Sequence, residues 1–387
     1  MGSILSSASE TLRVQNCLAR VQNWLTDGSI LAYLKENAMI FDVAVIGAGL
    51  AGLTCAQELR QAGYSVVVIE KSRGVGGRVA TRRLEGTVAD HGVRYLHAQG
   101  PHSQQLITNL CAMAHKTLQL WTDRVYEWDQ NGLSAVPQSC YIAPGGMNGV
   151  GKSLAEGLEI WLNRRVENLT PLAKNWLLRL EAMNNVESAT PLELNAKVVV
   201  MAIPAPQASI LLNTIASISG EFLAQVDGVK YDPCITVMAG YPSHYQQDLE
   251  QLNPSWSAIV FPQHPDLGWV GIDSSKRENP KQPVFVVQSS AKFAEKYLET
   301  TELQPVGEEL LNSAAQILLP WLKSPQWLQI HRWRYAFCRN FLSVPSLITI
   351  NPLPLICAGD WCGGDNIEGA SRSGKSAVNQ VKEILSI

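Results

Sequence analysis

Apolar positions along the chain fall into short continuous runs and helical stripes. Phe41-Asp-Val-Ala-Val-Ile46 is a largely apolar run of strand length, suited to a strand buried on both faces. Leu50, Leu53, Ala56 and Leu59 then recur at helical spacing until Gly63, a glycine stop. A second run, Tyr64 to Ile69, closes on Glu70. Trp176–Glu181 and Leu192–Leu194 read as neighbouring antiparallel strands, and Val198–Ala202 as a return to the central sheet, ended by Pro204. Leu355–Ala358 is another buried strand, and Ala377, Val378, Val381, Ile384 and Leu385 stripe a last helix. Ahead of all this, Val14, Leu18, Val21 and Leu25 draw a stripe that makes residues 1–38 a helical extension, stopped at Asp27-Gly28.

These elements predict an α/β (α+β) chain whose nucleotide-binding domain is discontinuous, assembled from 39–99, 145–220 and 330–387. Residues 100–144 and 221–329 remain to build a second, sheet-plus-helix domain over it. A length of 387 residues agrees with two to three domains. The charge balance, 31 basic against 34 acidic residues, lacks the basic excess of a general nucleic-acid binder. No apolar run reaches the ~18 residues of a membrane span. The start lacks a basic and apolar leader, and the eight scattered cysteines read as buried thiols of a reducing, cytoplasmic compartment. No His or Cys spacing fits a metal site.

The first chemistry lies between the first two strands. Gly47-Ala-Gly49-Leu-Ala-Gly52 follows the strand directly, and Glu70 stands 18 residues after the third glycine. Gly47 permits a tight turn, Gly49 lets the backbone approach a pyrophosphate, and Gly52 lets the helix pack on the strand. The pyrophosphate would sit on the helix N-terminus, and Glu70 would accept from ribose hydroxyls. After Glu70 come Lys71, Ser72 and Arg73, then a second paired-glycine turn, Gly76-Gly77-Arg78. It implies another close approach to a large anionic cofactor, with Arg78 at the diphosphate or near the ring system.

Acid, short spacer and Gly-Gly-Arg resemble the flavin amine oxidase superfamily, which implies FAD and a Rossmann-like domain of the glutathione reductase/amine oxidase type. Within it, Asp90-His-Gly-Val-Arg-Tyr95, Trp269–Lys276, His331-Arg-Trp-Arg-Tyr-Ala336 and Gly359-Asp-Trp-Cys-Gly-Gly-Asp-Asn-Ile-Glu-Gly-Ala370 resemble the renalase family, bacterial branch, over roughly 40–387. One departure is Gln288, where the resemblance leads one to expect a histidine. The resemblance implies cofactor contacts at Gly47, Gly49, Gly52, Glu70, Lys71, Gly77, Arg78, Val166, Gly359, Asp360, Glu368, Gly369 and Ala370. Asp360 would bond the ribityl chain or else cap a helix, and the last helix would point its N-terminus at the flavin.

The same resemblance implies oxidation of 2- or 6-dihydro isomers of NAD(P)H, with the hydride passing to FAD and oxygen taking the electrons as peroxide. No protein residue need act as the catalytic acid or base, since hydride transfer asks mainly for a flat donor held ~3–3.5 Å from its acceptor. Tyr95, Lys276, Trp333, Arg334, Tyr335 and Trp361 could supply aromatic walls and cations for such a substrate, although Trp333 and Tyr335 read equally as core. His97 reads as satisfying a local turn. An amine oxidase, a carotenoid or quinone-type oxidoreductase, or a flavin-binding sensor would share the flavin motifs.

Gly146–Ser153 and Gly369–Ser376 match the phosphate loop of NTPases letter for letter. Neither follows a buried strand, so Lys152 and Lys375 read as solvated helix residues.

Overall fold

The computed structural model describes residues 40–84, 86–113, 117–183, 192–364 and 366–386. The helix expected within 1–38 lies outside the described residues.

The first sheet has eight strands. Its centre is Ile40–Ile46, flanked in parallel by Val66–Ile69 on one side and Glu193–Met201 on the other. Glu159–Trp161 extends it beyond Val66–Ile69. Beyond Glu193–Met201 the sheet forks. Trp176–Ala182 pairs antiparallel with the first half of that strand and continues to Arg164–Pro171. Leu355–Cys357 pairs parallel with the other half and carries Leu347–Thr349.

The continuous apolar runs follow from burial on both faces. Val43 and Val45 pack with Leu53, Leu59, Val378 and Val381 on one side, and Ala44 and Ile46 with Ala208, Leu212 and Phe222 on the other. Helix Asn366–Leu385 lies against helix Leu50–Gln61, closely enough that a Cβ on Gly374 would come within 2.6 Å of the Ala51 carbonyl. Both nucleotide signals, far apart in sequence, thereby meet at the C-terminal ends of the parallel strands.

The second sheet has seven strands, in the order Trp327–Asn340, Lys230–Gly240, Val284–Ser289, Leu267–Ile272, Ala258–Val260, Val125–Asp129 and Gly132–Val136. Its outermost long strand corrects a boundary. Residues 330–340, assigned above to the cofactor-binding part, pair along Lys230–Gly240 and belong to the second sheet. Helix Gln304–Ile317 and the core around Phe285, Leu310 and Leu311 cover its far face. Among the described residues, no helix is long and apolar enough to cross a membrane.

The two phosphate-loop matches are not loops before a helix on a buried strand. Gly369–Ser376 lies inside helix Asn366–Leu385, where Gly374 serves packing. Gly146–Ser153 runs into a seven-residue helix whose Lys152 is exposed.

Candidate functional site

The chain turns sharply at the end of the first strand because Gly47 adopts φ +103°, and a Cβ there would lie 2.6 Å from the Ala202 carbonyl. Gly52 is equally constrained, since its Cβ would fall 2.1 Å from the Gly47 oxygen. Gly49 differs: a Cβ there would meet nothing within 4 Å and would project into open space. Helix Leu50–Gln61 begins at this point with no side-chain cap and no acid in its first turn. Its terminal N–H groups therefore present unopposed positive potential.

The second glycine turn faces the first. The Gly76 N–H donates to the Ala48 carbonyl at 2.8 Å, and Gly77, at φ +57°, abuts Gly49. Buried Glu70 braces both turns, its Oε2 accepting from the Ala48 N–H and its Oε1 from the Ser72 N–H, each at 2.8 Å. Lys71 reaches Gln207 at 3.1 Å.

Arg78 leaves this turn to form a bidentate pair with buried Asp360, both contacts 2.7 Å, and also donates to the Ala336 carbonyl. Asp360 is thus held by a cation and is not a helix cap. Burial opposes the Arg78 charge, but the Asp360 carboxylate more than offsets it and raises the Arg78 pKa.

These groups line a cleft of about 1020 Å³ between the two sheets. Gly47, Gly49, Glu70, Lys71, Gly77, Arg78, Val166, Gly359, Asp360 and Ala370 all border it. Three expected residues do not. Gly52 serves the packing just described. Glu368 turns away, accepting from the His102 and Ser103 N–H groups at 3.2 and 2.6 Å, and so caps helix Pro101–Ala112. Gly369 is required by the nearness of the Gly364 carbonyl.

From the second sheet, Trp333, Arg334 and Tyr335 border the cleft, as does Tyr95 from the linking segment. Arg334 sits at the exposed rim and pairs with Glu299 at 2.6 and 2.9 Å. The Tyr95 hydroxyl accepts from Gln138, and half-buried His97 packs against the Tyr95 ring. Trp361 touches the cleft wall but is 1% exposed, its indole N–H donating to the Ile203 carbonyl, so packing is its main role.

Lys276 is a correction. Its side chain is fully buried, and its Nζ contacts Asp90, Asp273 and the Arg94 carbonyl at 3.2, 2.7 and 2.7 Å, away from the cleft lining. Arg277 completes a buried cluster of two acids and two bases. Burial alone would raise the Asp90 pKa, but Lys276 and Arg277 bring it below the ordinary carboxylate value. Arg94, Arg164, Arg332 and Phe337 also line the cleft, although the sequence reading did not single them out.

Behind the wall, His91 stacks on Trp333 with centroids 5.4 Å apart and meets His331 edge-on at 4.9 Å. Burial, then His331 and Arg82, lowers the His91 pKa to about 3, and burial with Arg82 lowers that of His331 to about 4. Both rings stay neutral in the folded chain, whereas the unfolded chain takes up their protons near pH 6.5. Falling pH therefore favours unfolding: this stability is full above pH 6.5 and is lost progressively toward pH 4. The expected slope reaches up to about 1.4 kcal/mol per pH unit per histidine. Denaturant unfolding at pH 7 and pH 5 measures it, and His91→Phe should flatten the profile.

The cleft fits a flavin dinucleotide on three observations. The space above Gly49 is one a side chain would fill, an uncapped helix end borders it, and the Nε of buried Arg164 at its edge has no hydrogen-bond partner among the described residues.

Comparison with known proteins agrees. A family model described as "Flavin containing amine oxidoreductase" matches residues 111–382, and one described as "NAD(P)-binding Rossmann-like domain" matches 45–110. Curated relatives match over short stretches. The L-amino-acid oxidase of Mus musculus is 33% identical over 96 residues, 24% of this chain and 14% of its own length. The lysine-specific histone demethylase 1 homolog 3 of Oryza sativa subsp. japonica is 52% identical over 52 residues, 13% of this chain and 6% of its own. The chain thus matches well under a fifth of these relatives' lengths. Among solved structures, putrescine oxidase bound to putrescine superposes with a TM-score of 0.67 at 15% identity, covering 90% of this chain and all of that one. Cyclohexylamine oxidase from Brevibacterium oxydans gives 0.65 at 13%, with 90% and 100% covered. At these identities the likeness is one of fold.

Proposed function

The chain belongs to the flavin-containing amine oxidoreductases and is an FAD-dependent oxidoreductase; from that premise we propose that its substrate is a dihydro isomer of NAD(P), carrying the hydride at ring position 2 or 6. Bound FAD supplies the two-electron acceptor. The proposed holders of that group are Gly47, Gly49 and Gly77 at the pyrophosphate, Glu70 at the ribose, and Arg78, Val166, Asp360 and Ala370 around the rest.

One observation carries the choice of substrate, namely the sign of charge on the second-sheet wall. That wall offers Arg332 and Arg334 with Trp333, Tyr335 and Phe337, and the linking segment packed on it adds Arg94. The carboxylates bordering the cleft are Glu70, Glu167 and Asp360, all on the first-sheet side. Arg334 at the rim is already paired with Glu299, so the charge free for a ligand rests on Arg94 and Arg332. A phosphate-bearing flat donor is complementary to these, whereas an alkylammonium would meet no carboxylate among the second-sheet residues that line the cleft. The remaining task of the chain is to hold the donor ring in place and exclude water, since hydride transfer needs little acid–base help. The donor leaves as NAD(P)+, having lost one hydride; dioxygen takes two electrons and two protons and leaves as hydrogen peroxide.

The test mixes yellow holoenzyme, under anaerobic conditions, with chemically prepared 2- and 6-dihydroNAD(P), putrescine and cyclohexylamine. The expected result is flavin bleaching by at least one dihydronucleotide and, on admitting air, one peroxide per donor consumed. Bleaching by an amine alone would overturn the proposal in favour of an amine oxidase, and bleaching by neither would overturn it outright.

A further inference from the structure

Most guanidinium groups at the cleft wall are satisfied by the protein. Arg78, Arg165 and Arg334 pair with Asp360, Glu181 and Glu299, and Arg332 donates to the Tyr297 and Thr300 carbonyls. Arg94 is different. Among the described residues no carboxylate or backbone carbonyl contacts its guanidinium, and its one hydrogen bond runs from Nε to the neutral amide oxygen Oε1 of Gln288 at 2.6 Å. A cation left without counter-charge in a protein wall is costly. Arg94 is half-buried at the cleft wall, and the faces of Trp269 and Phe337, with centroids 5.1 and 5.9 Å away, offset part of that cost.

The surroundings hold Arg94 in this state. Gln288 donates through Nε2 to the Gly92 carbonyl at 2.9 Å, which directs its amide oxygen to Arg94. Lys276 takes the Arg94 carbonyl at 2.7 Å, and the Trp333 indole N–H takes that of His91 at 2.8 Å. Anchors on the carbonyls of His91, Gly92 and Arg94 thus fix residues 91–94 before any ligand arrives. Gln288 matters because a carboxylate in its place would neutralise the guanidinium internally.

We infer that Arg94 is the anion receptor of the cleft, a specificity-determining residue that takes a carboxylate or phosphate oxygen of the substrate through its unoccupied Nη groups. The rings of Trp269 and Phe337 set its plane, and Gln288 keeps it charged and unpaired. This inference shares with the preceding proposal the premise that the cleft receives substrate, but it does not require a dihydronicotinamide.

Calorimetric titration of oxidised holoenzyme tests it with four probes: nicotinate, inorganic phosphate, nicotinamide and benzylamine. At least one anion is expected to bind about tenfold or more tightly than nicotinamide, a difference of about 1.4 kcal/mol. Arg94→Met should abolish that preference and Arg94→Lys retain part of it. Gln288→Glu, which keeps Arg94 but neutralises it, should weaken the anion by about tenfold and leave nicotinamide unchanged. Dependence confined to nicotinate assigns a carboxylate to the site, and dependence confined to phosphate assigns a phosphate. Wild-type binding of both anions no tighter than nicotinamide, or anion binding unaltered by Arg94→Lys and Gln288→Glu, would overturn the inference. Turnover is measured separately, so that failure with every dihydronucleotide would remove the substrate proposal while the binding comparison still decides the role of Arg94.

Discussion

Gly49→Val is expected to give a folded but colourless protein. The added side chain meets no protein atom within 4 Å of its Cβ, and Gly49 has φ −78° and ψ 179°, a region open to valine. The fold should therefore lose only the small cost of a poor helix N-cap, well under 2 kcal/mol. The same side chain occupies the space through which a pyrophosphate would reach the helix end. Losing that approach removes charge-assisted hydrogen bonds together with the helix-terminus interaction, about 3 kcal/mol in all, or roughly a hundredfold in affinity. Flavin absorbance after reconstitution, read beside the far-UV circular dichroism, separates the two effects. A yellow Gly49→Val protein with near wild-type FAD affinity would sink the assignment of this turn.

The contrast with Gly52→Ala sharpens the reading. There the Cβ falls 2.1 Å from the Gly47 carbonyl, so helix and strand must separate and stability itself should suffer. Two glycines three positions apart in one motif therefore fail differently, one in binding and the other in folding.

Much of the first sheet was legible because its strands are buried on both faces, which leaves continuous apolar runs at 43–46, 66–69 and 198–201. The strand Trp327–Asn340 was not legible as part of the second sheet. Most of its residues are half-buried, facing the cleft or the rim, and its arginines, aromatics and histidine show no clean alternation. Lys276 read as a substrate group because a lysine between serine and arginine carries no mark of burial. Of the two acids that hold it, Asp273 is a close neighbour in sequence and could have hinted at the pair, but Asp90 lies 186 residues away. Glu368 misled for a related reason: an acid in the first turn of a helix suits that helix, yet this one caps another, 265 residues distant. Arg94 stood within a quoted motif, but its lack of a partner is a property of the assembled wall. Local patterns expose periodicity and turns; long-range charge pairing leaves no local trace.

Arg78→Met is expected to cost more than Asp360→Asn, and the order matters more than either value. The Asp360 side chain is 2% exposed and that of Arg78 is 30% exposed. Removing the arginine strands a carboxylate in the interior, at about 3–5 kcal/mol. Removing the carboxylate's charge leaves a guanidinium that water can still reach, donating to the Ala336 carbonyl and to the new amide, so about 1–2 kcal/mol is expected. The double variant Arg78→Met/Asp360→Asn should be more stable than Arg78→Met alone, because the stranded charge is gone. Denaturant unfolding of the FAD-free forms measures all three. If Arg78→Met proves the milder single change, then Asp360 has another cation or water to hold it, and the pair is not what ties the Gly-Gly-Arg turn to the C-terminal strand. In the expected order, the bond between residues 282 positions apart closes the nucleotide cleft from both ends of the chain.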